Sequence, residues 1–206
     1  MAGYSAIAAA AKSLERVLTD RFALDQPVNP LTTTTTVKTR AVLVSADDFN
    51  VAGSSSVIKP PVLSIFLVSV EVNRVMRAPW SAVGSDDHRS HLPLDLHFLL
   101  TPWASNAEYE QRILGSAMRC LDEHPMLSGP LLDTSHGAGF AVDEALQVVP
   151  GDLGPDGIMR IWDTLDASYR LSVPYVVRIV RIDSDVAPSD PPVLTAYAGA
   201  TPGLDP

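Results

Sequence analysis

Apolar residues alternate with polar ones in one stretch of the chain and recur at helical spacing in the next. Alternate positions from 92 to 100 carry Leu92, Leu94, Leu96, Phe98 and Leu100, the pattern of a strand with one buried face. Residues 101–103 end this predicted strand, and Ser105 with Glu108 forms a predicted capping box for a helix. One face of that helix carries Ile113, Leu114, Ala117, Met118 and Leu121. The sequence therefore predicts a strand that leads directly into a helix packed on it.

The same kind of spacing predicts the elements that come before this pair. A helix opens the chain, and its apolar stripe consists of Tyr4, Ile7, Ala11, Leu14, Leu18 and Phe22. Prolines 27 and 30 end it. Residues 37–45 and 62–77 predict two strands, of which the second is apolar on both faces only in its first half. Residues 78–91 then join two long strands as a wide hairpin, which is suited to act as a contact arm.

The last part of the chain contains two predicted strands and one predicted helix. The strands cover residues 145–149 and 174–183. The helix begins at Pro155, and its apolar stripe consists of Ile158, Ile161, Trp162, Leu165 and Tyr169. Residues 47–56, with one glycine and three serines, predict an exposed loop. These alternating strands and helices indicate an α/β (α+β) fold.

Composition indicates one domain with an appendage. The chain has 206 residues, of which 46% are hydrophobic and 19% charged, so residues 1–185 are expected to bury a core of their own. Residues 186–206, rich in proline and aspartate, predict a disordered or docking tail. The apolar run at residues 60–70 is too short to span a bilayer, and the N-terminus lacks a basic leader. We therefore expect a cytoplasmic protein that does not enter a membrane.

Net charge and motifs narrow the possible functions. The formal charge of -9 at pH 7 disfavours nucleic acid as a partner, because phosphate binding needs a concentrated basic face. The common nucleotide, metalloprotease and hydrolase motifs are absent from the sequence. A metal site in the hairpin has the ligand candidates Asp86, Asp87, His88 and His91, although a solvated polar loop explains these residues more simply.

Several single residues are interpreted as structural. Cys120 lies beside the apolar stripe of its helix and is expected to be a small, partly buried residue. His97 faces away from the leucine stripe and is expected to pack, hydrogen-bonded, under another layer. Trp162 lies at helical spacing in a predicted core. Trp80 and Trp103, each beside a proline in a predicted loop, are better candidates for anchors of a protein interface.

Four blocks of the sequence, at residues 4–18, 61–78, 92–127 and 157–184, resemble one family. The most specific parts are L-D-L-H-F-L-L at residues 94–100, followed by the predicted helix, together with R-I-W at 160–162 and S-V-x-Y at 172–175. The chain resembles the tail-terminator, or cap, proteins of phage-tail-like contractile injection systems. This resemblance implies a phage tail-terminator-like fold, with a mixed, largely antiparallel sheet of about four to six strands and two or three helices packed on it.

The resemblance also implies a structural role without a cofactor or an enzymatic activity. Such proteins form a ring, typically of about six copies, on the distal end of the inner tube. The implied partners are further copies of the chain, the inner tube protein and the sheath protein. The residues expected at a subunit or tube interface are Glu71, Asn73, Arg74, Arg77, Trp80 and Trp103. The alternative is a small-molecule- or metal-binding α/β domain with enzymatic activity, using the loop of residues 86–91 with Trp103 at the pocket mouth.

Overall fold

The computed structural model describes residues 3–28, 38–50, 56–81, 85, 89–133, 140, 144–165 and 167–184. The helices are α1 (Ala6–Asp25), α2 (Arg74–Arg77), α3 (Ala107–Glu123) and α4 (Pro155–Thr164), with short 3-10 helices at Asp47–Phe49 and Gly129–Leu131. The strands are β1 (Arg40–Val44), β2 (Val62–Val72), β3 (His91–Trp103), β4 (Met126–Ser128), β5 (Ala145–Pro150) and β6 (Val173–Asp183).

The strands form one sheet in the order β1-β2-β3-β6-β5-β4. β1 runs parallel to β2, and every other neighbouring pair is antiparallel. β2 and β3 pair along almost their whole length, from Val62 opposite Trp103 to Val72 opposite Leu94. The predicted mixed, largely antiparallel sheet and its long hairpin are therefore confirmed.

The side-chain alternation of β3 separates two cores. Leu94, Leu96, Phe98 and Leu100 lie in the larger core, with α1 and α3. Leu99 points to the opposite face and packs with Trp162 of α4. The leucine stripe of the sequence is thus the inner face of the main core, and Trp162 is a core residue as predicted.

Helix α1 is buried around most of its circumference. Its buried residues are Ala6, Ala9, Ala10, Ala11, Ser13, Leu14, Val17, Leu18 and Phe22. Alanines at adjacent positions let neighbouring backbone approach from several sides, because a methyl group occupies little space.

Side chains of α1 reach backbone groups at both ends of the sheet. At β1, Thr19 Oγ1 accepts a hydrogen bond from the Ala41 amide (3.1 Å). Just beyond β4, Ser13 Oγ accepts from the Asp133 amide (2.7 Å), and Arg16 donates to the Leu132 carbonyl (3.1 Å). Since one helix bonds the first strand of the order and the segment that follows the last strand, the sheet curls around it.

Three predicted boundaries are corrected by hydrogen bonds that the sequence pattern does not reveal. The strand predicted over residues 62–77 ends at Val72, because Asn73 Oδ1 accepts from the Met76 amide (3.0 Å) and caps α2. β3 continues through residues 101–103, which pair with β2. The cap of α3 is Asn106 rather than Ser105, since Asn106 Oδ1 accepts from the Tyr109 amide (2.9 Å).

Other corrections concern burial. Tyr4 and Tyr169 lie outside α1 and α4 and are exposed, so they do not extend the apolar stripes. On α3, Cys120 is buried where the sequence favoured Met118, which is exposed. The predicted exposed loop at 47–56 contains Phe49, which packs against the smaller core. Residues 51–55, the hairpin residues 86–88 and the tail from 185 onward lie outside the described residues.

Polar contacts join the C-terminal end of α1 to α3. The Asp25 carboxylate accepts hydrogen bonds from Ser116 Oγ (2.6 Å) and Arg119 Nη2 (2.7 Å). The Ser116 hydroxyl, followed by the Arg119 and Arg21 guanidinium groups, lowers the pKa of Asp25 below its usual value, against a smaller desolvation effect. Burial raises the pKa of the nearby Cys120 thiol, which disfavours the thiolate form.

We expect Leu18→Ala to lower the free energy of unfolding by about 2–5 kcal/mol, because Leu18 is 0% exposed and its removal leaves a cavity. Leu24→Ala on the same helix is the matched control, since Leu24 is 79% exposed and its loss should change stability by less than about 0.5 kcal/mol. Urea unfolding of both variants measures the difference. Equal effects would contradict the burial of α1.

The Asp25 contacts predict a specific pH dependence of stability. Because the pKa of Asp25 is lower in the folded chain, the unfolded chain takes up more protons on acidification, and the stabilisation present above about pH 4 is lost as pH falls through the folded pKa. Asp25→Asn should therefore be less stable than the natural chain at pH 7, and the gap should shrink below about pH 4. Urea unfolding at several pH values, with exposed Asp163→Asn as control, measures this gap. A gap independent of pH would refute the assignment.

Candidate functional site

The three central strands extend beyond their neighbours at one end of the sheet. β1 pairs with β2 only as far as Phe66, and β5 pairs with β6 only over residues 175–178. The projecting part, which we call the strand arm, consists of residues 67–72, α2, residues 91–96 and residues 179–183. It lies beside residues 78–91, the hairpin that the sequence predicts as a contact arm, of which residues 82–84 and 86–88 lie outside the described residues.

Five of the six predicted interface residues lie on or beside the strand arm. Glu71 and Arg74 are exposed, at the end of β2 and the start of α2. Arg77 is also exposed and donates from Nη1 to the His91 carbonyl (3.4 Å). Trp80 is half-buried, and its carbonyl accepts from the His91 amide (2.8 Å).

Asn73 has a structural role within the strand arm. Its Nδ2 donates to both oxygens of Asp95 (3.2 and 3.1 Å), and its amide donates to the Pro93 carbonyl (2.9 Å). Asp95 Oδ1 also accepts from the Ile179 amide (3.4 Å). Ile179 has φ = 61°, a conformation that costs a β-branched residue free energy, and lies where the β3–β6 register shifts. Asn73 and Asp95 therefore hold two irregular chain segments together.

A buried polar cluster fixes the base of the hairpin. His91 Nδ1 lies 2.6 Å from Asp183 Oδ1, and Arg181 Nε lies 2.9 Å from the same oxygen. Arg181 also forms an ion pair with Glu144 (3.3 Å), and its guanidinium lies 6.0 Å from the Trp80 ring centroid. Sequence reasoning missed Asp183, Arg181 and Glu144, because residues so far apart in the chain show no local pattern.

Trp103 lies at the opposite end of β3 from the strand arm. Its indole donates to Ser64 Oγ (2.9 Å), and its ring packs among Phe49 and Trp162. The Arg170 guanidinium lies 4.5 Å from its ring centroid, within cation–π range. The structure therefore does not bring Trp103 together with the other predicted interface residues.

Among the described residues, no further layer packs over His97, contrary to the sequence expectation. Its side chain remains partly exposed on the face opposite the leucine stripe, and Nε2 lies 3.8 Å from Glu71 Oε2. The smaller core on that face involves Leu99 and stops short of His97. The exposed Glu71 and the half-buried His97 thus lie on one surface beside the strand arm.

The predicted metal ligands do not form a cluster that the structure describes. Asp86, Asp87 and His88 lie outside the described residues, and His91 is paired with Asp183. Within the described ranges, no group of three or more histidine, cysteine, aspartate or glutamate residues is arranged to hold a metal ion. No helix among the described residues has the length and apolar character needed to cross a membrane.

Comparison with known proteins identifies the family. The profile of the Pvc16 N-terminal domain matches residues 10–196. No curated protein sequence matches the chain.

Two solved structures are similar to the chain. The sheath/tube terminator of PVC, an extracellular contractile injection system, in its extended state has 17% identity and a TM-score of 0.53, with 94% of this chain and 63% of that chain covered. The chain therefore spans less than two thirds of that relative. The tube-terminating cap of the anti-feeding prophage has 16% identity and a TM-score of 0.44, covering 66% of this chain and 48% of that one. The first likeness shows a shared fold, and the profile match over most of the sequence shows that this chain belongs to the Pvc16 N-terminal domain family.

Proposed function

We propose that this chain is a structural tail terminator of a contractile injection system. The observation that carries this proposal is the family match over residues 10–196. The fold shared with a sheath/tube terminator supports it. On this proposal the chain assembles on the end of the inner tube, and neither a cofactor nor catalysis is involved.

The proposed mechanism is geometric. Copies of the chain form a closed ring, of about six subunits, through contacts between unlike surfaces of neighbouring subunits. One face of the ring complements the last layer of the tube and meets the sheath. The other face offers no template for a further layer, so polymerisation ends there. The assembly takes place in the cytoplasm, without nucleic acid or membrane as partners.

We further propose that the strand arm carries contacts to the tube or to the neighbouring subunit. Glu71, Arg74 and Val75 are all exposed there, and Val75 is an apolar residue with no cover among the described residues. The arginines of α2 project from a chain whose net charge is -9, so the arm complements an acidic surface such as that of another copy. Alternating exposed residues are also typical of a solvated sheet end, and mutagenesis separates the two cases.

The enzymatic alternative finds no support in the family match or in the described residues. Its proposed pocket mouth, Trp103, packs in an aromatic cluster at the opposite end of β3 from His91. His91 itself is buried beside Asp183 in contacts that hold the hairpin.

Deleting the gene tests the proposed function. Without the terminator, tubes should have a broad length distribution and open distal ends, because nothing fixes where polymerisation stops. Electron microscopy of purified particles measures tube length and end morphology, and a plasmid-borne copy is the control for restoration. Particles of normal, uniform length with intact distal ends would refute the terminator function.

Charge reversal tests the strand arm. Arg74→Glu should lower the fraction of particles that carry the protein by about fivefold or more, since an unfavourable charge at a contact costs at least about 1 kcal/mol. Arg112→Glu is the matched control, because Arg112 is also exposed but lies on α3, away from the arm; it should leave that fraction within about twofold. Quantitative immunoblotting against the tube protein measures the fraction. Normal incorporation of Arg74→Glu would exclude the arm from the interface.

A further inference from the structure

The outer edge of β2 is open along the strand arm. β3 pairs with Leu67 and residues 69–72 on one side, with a bulge at Val68, whereas β1 pairs with β2 only up to Phe66 on the other. Along this half of β2, alternate residues direct amide and carbonyl groups away from β3, and no described strand meets them. The open edge is six residues long, which is the length of an ordinary strand.

The other sheet edges are protected in ways that this one is not. On β1, Thr19 Oγ1 bonds the Ala41 amide and Glu15 Oε1 bonds the Leu43 amide (3.4 Å). At the other end of the sheet, β4 contains only three residues. Proteins commonly prevent unwanted pairing in two ways. Side chains hydrogen-bond the amides of an edge strand, or the edge strand is very short. The outer edge of β2 therefore differs from the rest of the sheet.

The side chains of the open edge also favour pairing. Val68, Val70 and Val72 are 36%, 43% and 45% exposed, although β-branched residues pack best against a neighbouring strand. The edge contains no lysine and no proline, the residues that most often block strand addition. Glu71 is its one charged residue.

The tail of this chain contains a segment that matches such an edge. Residues 193–197 read VLTAY, with Val193, Thr195 and Tyr197 at alternate positions, and Pro192 and Pro202 enclose the stretch around them. The segment lies outside the described residues. The match to the family profile extends to residue 196, beyond the end of β6, so it includes most of this segment.

We propose that residues 193–197 add to the open edge of β2 as an antiparallel strand within the same chain. The chain leaves β6 at the same end of the sheet where β2 finishes, because Asp183 lies opposite His91 and the Ser184 amide bonds the Ser90 carbonyl (3.0 Å). A tail that enters from this end runs back along β2 in the opposite direction.

Length and charge permit this path. From β6 to the open edge is a distance of three strand spacings, about 14 Å, and residues 185–192 span up to about 26 Å when extended. On this path Asp190 passes the end of β2, near the exposed Arg74 and Arg77. The opposite charges of Asp190 and these arginines favour this position of the tail. The pairing would close the sheet edge whether or not the chain terminates a tube.

Backbone hydrogen exchange of the full-length chain tests the added strand. The amides of residues 67–72 that point away from β3 should exchange at least about tenfold more slowly in the natural chain than in Thr195→Pro, since proline removes a donor and disfavours a paired strand. Thr201→Pro is the matched control, outside the segment in the same tail, and should exchange like the natural chain. Equal exchange in the natural chain and Thr195→Pro would overturn the proposal.

A disulfide tests the position of the tail independently. If Val193 lies opposite Val72, Thr195 lies opposite Val70, and the double variant Val70→Cys with Thr195→Cys should form an intrachain disulfide under mild oxidation. Cys120 is buried and does not compete. Val70→Cys with Thr201→Cys is the control and should form several-fold less of the bond. If residues 67–72 are protected but disulfides form only between chains, the assignment to the same chain is overturned. If neither protection nor a disulfide is found, the added strand itself is overturned.

Discussion

The burial of α1 within the curled sheet is the constraint on which the rest of the structure depends. An alanine-rich helix can lie against neighbouring elements on several sides because its side chains keep little distance from other backbone. Leu14, Leu18 and Phe22 then supply the apolar area that such a helix would otherwise lack. The polar residues Ser13 and Thr19 bond backbone groups at the two ends of the sheet order, so the curvature of the sheet is tied to one helix.

The sequence predicts the elements well where each has a one-sided apolar pattern. The stripe of β3 and the proline at the start of α4 locate two elements correctly, since both signals are local. The errors occur where contacts between residues far apart in the sequence determine the length of an element or the burial of a side chain. β3 continues past Leu100 because β2 pairs with it, and Phe49 is half-buried because Trp162 and Trp103 face it. A local pattern contains neither fact.

The candidate site is less predictable because its features depend on comparisons between strands. Exposed residues such as Glu71 and Arg74 can be chosen from alternation near a strand end. That choice cannot separate Trp80 from Trp103, two proline-flanked tryptophans that lie at opposite ends of β3. Nor can it show that β1 ends at Val44, opposite Phe66 of β2, since edge exposure depends on the length of a neighbouring strand. The proposed structural role involves no catalytic motif from which the site could be recognised.

The uneven protection of the sheet edges bears on the proposed terminator function, because a terminator must avoid unwanted polymerisation. A chain that closes a ring must present unlike surfaces to its neighbours, and any unprotected strand edge would compete by pairing without limit. Here α1 occupies the amides of β1, and β4 is too short to act as a template, so those edges are closed by the fold itself. The edge of β2 is closed by nothing in the described part of the chain. A strand supplied by the same chain would close it without adding a second subunit, which leaves α2 and the adjoining exposed residues for specific contacts.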